Sequence, residues 1–358
     1  MAGSPYASSL GRLQSQFPAF LQKDAYPPLA NSKDIAEVTK ILEGTPYGPE
    51  ILQMAASYKG TPLLEMAINR TLVRRNRQAL DSAPFAGKAL ISAYLRRWDI
   101  QNIGIVLSAR AQGRSLQEAD PQLVSSRDIP AGMFAGTMTL DDFRLLLQQP
   151  SLEAVVQALV KFGYGATLLP LLDTYERSKD IFPLLQALDR DYYVALLEST
   201  KYFQGDEWVI RQFLRSELDV RNLLLLLKGK DAQLPFDVVS SRFLEGGDLT
   251  RAQAEDLYSA RTVPELAAGF EARFPTILQG NAEYAENLSL TGYETAVSHD
   301  RAVRELKRLR SYPLSVCVIF TYLLLAELER TDLRRIIYGR VYGVAPATLE
   351  SLLVVPRL

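Results

Sequence analysis

Acidic pairs are the nearest this 358-residue chain comes to a catalytic pattern. Asp141-Asp142 and Glu255-Asp256 could serve general acid–base chemistry if a fold gathered them into one cleft, where neighbouring like charges raise a carboxyl pKa. No partner motif accompanies them, and both pairs fall at helix starts or on polar faces, where acids are ordinarily solvated. The chain has one histidine, His299, and one cysteine, Cys317. A His/Cys metal cluster is therefore excluded, and a histidine-based triad has little to draw on. His299, in TAVSHDRAV, reads as an exposed helix residue. The sequence holds no GxxxxGK[ST] loop, GxGxxG turn, HExxH helix or GxSxG elbow. No catalytic residue, cofactor, metal or small-molecule substrate is expected.

Two basic stretches are the remaining candidates, NRTLVRRNRQ (69–78) and RAVRELKRLR (301–310). Arg70, Arg74 and Arg77 share helical spacing in the first. Arg301, Arg304, Lys307 and Arg308 do so in the second. Nucleic-acid binding would need a net basic domain with stacking aromatics nearby. The net charge of −1 and the acidic flanks argue against it. These residues read as solvated helix faces, or as docking surfaces for an acidic protein partner.

The elements that carry these residues have a helical period. In IFPLLQALDRDYYVALLESTKYF (181–203), Leu185, Leu188, Tyr192, Val194 and Leu196 trace one face at three- and four-residue steps. Strand-like alternation is hard to find, so the fold class is all-α. Thr139, Ser151 and Thr250 fit helix N-caps, each followed by an acid or amide in the first turn. Breaks are expected at 45–49, 125–136, 228–236, 244–248, 274–281 and 311–313, where Gly, Pro, Ser, Asn and Asp gather. A hydrophobic fraction of 47% and a charged fraction of 23% are ordinary for a globular protein. Cys317 lies in the apolar run SVCVIF and suggests a reducing setting. The first residues, MAGSPYASSLGRLQSQF, lack the apolar core of a signal peptide. The longest uncharged run, 311–326, has 16 residues. A span needs ~20, so this run reads as a buried helix.

The sequence also repeats. WDIQNIGIVLSAR (98–110), LDVRNLLLLLKGK (218–230) and TDLRRIIYGR (331–340) each set an acid, Asp99, Asp219 or Asp332, before an apolar run that ends in a base. Gly136, Thr139 and Ser151 map onto Gly247, Thr250 and Thr262 at one constant offset. TPLLEMAINR (61–70) resembles FPLLQALDR (182–190), and ETAVSHDR (294–301) reads as a degenerate third copy. Three units of about 110–120 residues follow, drawn at 1–115, 116–231 and 232–358. The acid is expected at a helix start and the base at its end, each complementing the macrodipole. The leucine run 223–227 then belongs to a core helix. Three such units could enclose a concavity, a geometry for holding rather than catalysing.

The ordered set of motifs resembles the C subunit of the archaeal-type (A/V-type) rotary ATPase, related to the d subunit of the eukaryotic vacuolar enzyme. Its residues here are Tyr6, Arg12, Phe20-Leu21, Tyr26, Leu29-Ala30, LEGTPYG (42–48), IPAG (129–132), DVRNLLLLLKGK and TDLRRIIYGR. Gly11 stands where the family commonly has alanine. The resemblance spans nearly the whole chain. It implies a noncatalytic, funnel-shaped, pseudo-threefold protein at the cytoplasmic face of the membrane. Such a protein would couple the D and F subunits of the central shaft to the proteolipid ring. ATP chemistry would belong to other subunits. A helical-repeat scaffold that binds a peptide or protein in its concavity is the alternative. A helical enzyme would require Asp141, Asp142, Glu255 and Asp256 to meet in one cleft.

Overall fold

The computed structural model describes residues 4–113, 138–202, 205–273 and 290–357. Among these there are helices and no strand. Six helices of fifteen residues or more make the frame: α1 (Gly60–Ser82), α2 (Arg97–Ala111), α3 (Phe182–Ser199), α4 (Glu207–Asp231), α5 (Leu290–Arg310) and α6 (Cys317–Val341). Among them α2 packs on α3, α4 on α5, α5 on α6, and α6 back on α1. The apolar run 311–326 ends inside α6, where Cys317 through Leu324 are all buried. No helix among the described residues is long and apolar enough to cross a membrane.

Short helices fill in around this frame, and their starts follow the sequence. Thr139 and Thr250 form full capping boxes with Asp142 and Gln253, and the Ser151 side chain accepts from Ala154 N–H. Asp142 is thus committed to a cap. Helix 140–147 and helix 251–258 sit in different hydrophobic clusters, so the four acids do not meet in one cleft. The expected turn at 129–132 and the repeat glycine Gly136 lie outside the described residues.

The apolar side chains divide into one shared core and three satellites. The shared core takes the later halves of α1, α3 and α5 and the first turns of α2, α4 and α6, with Leu13 and Tyr94 among its fully buried members. One satellite runs from Ile103 to Leu188, a second from Val220 to Val297. The third joins Leu333–Leu353 to Leu21–Ile68, so the two ends of the chain complete one cluster. Leu223, Leu226 and Leu227 are buried in the second satellite, with Leu224 and Leu225 packed against it. That is the destination of the leucine run.

Of the three acids of the repeat, Asp99 stands in the first turn of α2, as a macrodipole role requires, and the other two do not stand at helix starts. Asp219 and Asp332 lie inside α4 and α6, well past the first turn. Each reaches sideways to hold a returning segment. Asp219 accepts the N–H groups of Asp248 and Leu249 at 3.0 and 2.9 Å. Asp332 accepts those of Val354 and Val355 at 2.8 and 2.7 Å. Three residues on, Asn222 accepts from Leu244 N–H and donates to its carbonyl, and Arg335 donates to the Leu352 carbonyl. Asp99, in the third residue of α2, is fully buried and accepts from the Tyr164 hydroxyl at 2.9 Å. In the second and third copies the polar leader is therefore a clasp for backbone groups that would otherwise be buried unpaired. Gly247 is required beside it, because a Cβ there would run into the Asp219 carboxylate. Burial pushes the Asp332 carboxyl up to about 6, against the pull of Val355 N–H, Arg335 and Val354 N–H.

Replacing Asp219 by alanine strands two backbone donors, and a loss of about 3 kcal/mol is expected in urea denaturation. Asp219→Asn, which keeps an acceptor, loses less. A loss under about 1 kcal/mol for the alanine variant would show that the clasp is not needed.

Candidate functional site

Where the shared core ends and the satellites begin, the long helices bring charged side chains to one level. Arg97 comes from the first turn of α2, Glu217 from the middle of α4 and Glu327 from α6. Arg97 Nη2 donates to both oxygens of Glu217 at 3.1 Å, and Nη1 donates to Glu327 Oε2 at 3.1 Å. Its Nε donates to the Tyr192 hydroxyl, and its guanidinium lies 3.8 Å from the Tyr94 ring centroid. Glu217 also takes a donor from Arg301 on α5 at 2.8 Å and another from the Tyr193 hydroxyl. Tyr94 donates to Glu327 Oε1 at 3.0 Å. One guanidinium thus bridges carboxylates on two other long helices.

The centre is buried on the core side and opens on the other. The Glu217 side chain is 5% exposed, that of Arg97 13% and that of Glu327 19%. A cavity of about 400 Å³ reaches Arg97 and Glu327 between α2, α3 and α4, with Gln101, Leu185, Asp189 and Arg221 on its walls. A smaller one of about 180 Å³ reaches Glu327 from between α4, α5 and α6, past Arg301, Thr331 and Arg335. Glu327 borders both cavities and Arg97 the larger one, and their walls carry mixed polar and apolar groups. No acid–base pair with a nucleophile stands there. Among the described residues no group of three His, Cys, Asp or Glu side chains could hold a metal ion.

A second buried pair fixes the N-terminal segment. Arg75 on α1 donates to Glu329 on α6 at 2.7 Å. Glu329 also accepts the Tyr47 hydroxyl and the Leu21 N–H, at 2.6 and 2.7 Å. Arg75 donates to the Ala19 carbonyl and lies 4.0 Å from the Phe20 ring centroid. The motif residues Tyr6, Leu21, Tyr26, Leu29, Ala30 and Tyr47 are accordingly buried.

The basic residues singled out in the sequence separate into two groups. Arg70 is buried against Glu50 at 2.7 Å and Gln53 at 2.9 Å, and Arg74 joins it on Glu50. Arg301 belongs to the charge centre. Arg304 reaches Ser216 Oγ at 3.1 Å and Glu305 at 3.4 Å, and Arg308 reaches Glu305 at 3.1 Å. A solvated face does not describe Arg70, Arg301 or Arg304, since their partners come from within the fold. Arg77 makes a surface pair with Asp81 at 3.4 Å, and Lys307 is exposed. His299 is half-buried on α5, 3.8 Å from Asp300, rather than exposed. Packing of α5 between α4 and α6 takes that face out of solvent.

The sequence reading missed Arg97, Glu217, Glu327, Arg75 and Glu329 as a set. Arg97 and Glu217 do stand two residues before Asp99 and Asp219, so the repeat register marks their positions. Nothing local marks Glu327.

A family model described as "ATP synthase (C/AC39) subunit" matches residues 10–352. The chain is similar to the C subunit of the A-type ATP synthase of Thermoplasma acidophilum, 35% identical over 351 residues, 98% of each chain. It is similar to that of Thermoplasma volcanium, 31% identical over 349 residues and 98% of each chain. It is also similar to that of Haloferax volcanii, 32% identical over 329 residues and 89% of each chain.

Electrostatics give the charge centre a measurable signature. Burial alone would raise the Glu217 carboxyl, but Arg97, Arg301, Arg221 and the Tyr193 hydroxyl outweigh it and hold it well below the ordinary range. Burial raises Glu327, Arg97 lowers it, and the charge of Glu217 raises it again, leaving it above the ordinary range. A depressed carboxyl contributes stability that is present above its unfolded pKa and lost as pH falls through the folded one. Glu217→Gln is therefore expected to cost about 3 kcal/mol at neutral pH, because Arg97 and Arg301 lose their main counter-charge. In denaturation series across pH, the gap between wild type and variant should hold at neutral pH and shrink below the ordinary carboxyl value of 4.5. A gap that is constant with pH would contradict the ionic account.

Proposed function

The chain belongs to the ATP synthase (C/AC39) subunit family, and on that premise we propose that it is the noncatalytic C subunit of an A-type ATP synthase, acting as a socket between the central shaft and the membrane ring. The observation that carries this reading is the family match over residues 10–352, and the two cavities that meet at Glu327 between the long helices support it. The partners in this reading are the D and F subunits of the shaft on one side and the proteolipid ring on the other. Torque passes through the socket during ion transport, and nucleotide chemistry stays in other subunits. The protein sits at the cytoplasmic face of the membrane and needs no span of its own.

The three satellites around a shared core support a funnel of three related units. We place the units by their clusters: one around α2 and the start of α3, one around α4 and the start of α5, and one in which α6 joins the N-terminal segment and the start of α1. The shared core closes one end, and the satellites leave the other open between them. The shaft enters the open end, and the closed end faces the ring. Of the basic residues, Arg77, Lys307 and Arg308 lie on the halves of α1 and α5 nearest the closed end and are the candidates for partner contact. Arg70, Arg74, Arg301 and Arg304 serve mainly to hold the fold. A free helical scaffold shares the concavity, but the family match over residues 10–352 favours the ATP synthase.

The test is purification of the tagged chain from gently solubilised membranes of its source. Nucleotide-binding subunits, shaft subunits and a proteolipid should come with it. Recovery of the chain alone from the soluble fraction would contradict the assignment. Joint reversal of Arg77, Lys307 and Arg308 to glutamate should lower the recovered partners while leaving the helical content unchanged.

A further inference from the structure

Three arginines are buried among the described residues, and one of them has no carboxylate. Arg70 and Arg75 each face a glutamate at 2.7 Å. Arg330, on α6, is 7% exposed and faces none. Its Nε donates to Asn69 Oδ1 on α1 at 2.9 Å, and its guanidinium lies 5.4 Å from the ring centroid of Trp98 on α2. Nη1 and Nη2 have no hydrogen-bond partner among the described residues, and neither is closed off from solvent. The group that meets Arg330 from α1 is thus an amide, which offers an oxygen but no charge. Glu65, one turn before Asn69, is taken by Arg334 Nε at 2.8 Å. Arg330, Arg334 and Glu65 together keep one positive charge in excess. Burial, helped by Arg334, lowers the Arg330 guanidinium to about 10, against the pull of Glu65, Glu327 and the Tyr338 hydroxyl. A buried charge without a counter-charge is costly. Arg330 stands two residues before Asp332, as Arg97 and Glu217 stand before Asp99 and Asp219. Arg97 and Glu217 neutralise each other, with Glu327 and Arg301 beside them, and Arg330 has no such answer.

The site is reached along α6. Trp98 and Glu327 both line the cavity of about 400 Å³, and Arg330 is one turn past Glu327. From there Arg330, Arg334, Tyr338 and Tyr342 follow at four-residue steps, which places them on one face. The Arg334 guanidinium lies 5.6 Å from the Tyr338 ring centroid, and the Tyr338 and Tyr342 rings stack with centroids 6.3 Å apart. Exposure rises outward, to 33% for the Arg334 side chain and 77% for Tyr342. The buried guanidinium is therefore the inner end of a track that begins at the exposed end of α6. Rings and cations along that track, with Ile100, Leu185 and Leu188 on the walls of the adjoining cavity, suit a protein segment that carries an acidic side chain among apolar ones. A free phosphate would match the guanidinium and leave the rings unused.

We propose that Arg330, supported by Arg334, binds a carboxylate side chain on the protein segment that enters the cavity between the long helices. This deepens the socket reading, on which it rests for the identity of that segment as part of the shaft. The two Nη groups form a fork that a carboxylate meets through parallel hydrogen bonds, so the contact fixes orientation as well as affinity.

Isothermal titration of the purified full chain with the purified pair of shaft subunits D and F tests this. Arg330→Gln should weaken binding on the order of thirtyfold. Arg330→Lys, which keeps the charge and loses the fork, should weaken it less. Arg144→Gln, on the outer helix 140–147, should bind as wild type does. Because the free chain holds Arg330 without a counter-charge, Arg330→Gln should leave the Tm of the free chain unchanged or raise it. A guanidinium that only holds the fold would do the reverse, with a lowered Tm and unchanged binding. The proposal is overturned by that result, or by an Arg330→Gln variant that binds the shaft pair as tightly as wild type. It is also overturned if inorganic phosphate raises the Tm of wild type but not of Arg330→Gln while shaft binding is equal in the two, since the site then serves a free anion. Failure of the wild-type chain to bind the shaft pair at all would overturn the socket reading and this proposal with it.

Discussion

A guanidinium taken out of water must have its donors met, and Arg97 meets them with groups from three other helices. Glu217 comes from α4, Glu327 from α6 and the Tyr192 hydroxyl from α3. Moving any of these helices by more than a fraction of an ångström would leave a buried charge without its partner, which is far costlier than a lost surface pair. Such a centre adds little net stability beyond what packed apolar groups would give. What it does is specify one relative placement of helices whose apolar faces could slide. The shared core and the satellites meet at this level.

On the socket reading proposed above, that constraint suits a part that transmits force. A socket must keep its walls in register under load, and directional polar contacts resist sliding better than apolar packing alone. The same logic recurs in two of the satellites. Asp219 with Asn222, and Asp332 with Arg335, fasten a returning segment to a long helix through backbone groups. Arg75 and Glu329 do it for the N-terminal segment. The Glu329 contacts with Arg75 and Leu21 join residues far apart in the chain, and the third satellite exists only because both ends of the chain meet.

Helix content and the capping boxes at Thr139 and Thr250 were legible because each rests on local chemistry. The repeat also marked Asp219 and Asp332 correctly as important but gave them the wrong job. An acid before an apolar run looks like a helix start when the preceding turns, such as EWVIRQFLRSEL before Asp219, are read as a separate element. Only the tertiary position of the 244–249 loop shows what the carboxylate holds. Charge pairing was hidden for a related reason. Arg301 and Arg304 have the spacing of a solvated face, and only the packing of α5 on α4 turns them toward Glu217 and Ser216. Arg97 and Glu327 lie 230 residues apart in sequence, and no local pattern connects them.

The central claim is that the concavity above Arg97, Glu217 and Glu327 receives a partner. Hydrogen–deuterium exchange of the free chain and of the chain within the assembled ATP synthase tests it directly. The walls at 185–192, 217–221, 298–302 and 327–335 should gain protection in the complex relative to the outer helices at 140–147 and 251–258. Protection confined to those outer helices, with the walls unchanged, would contradict the account.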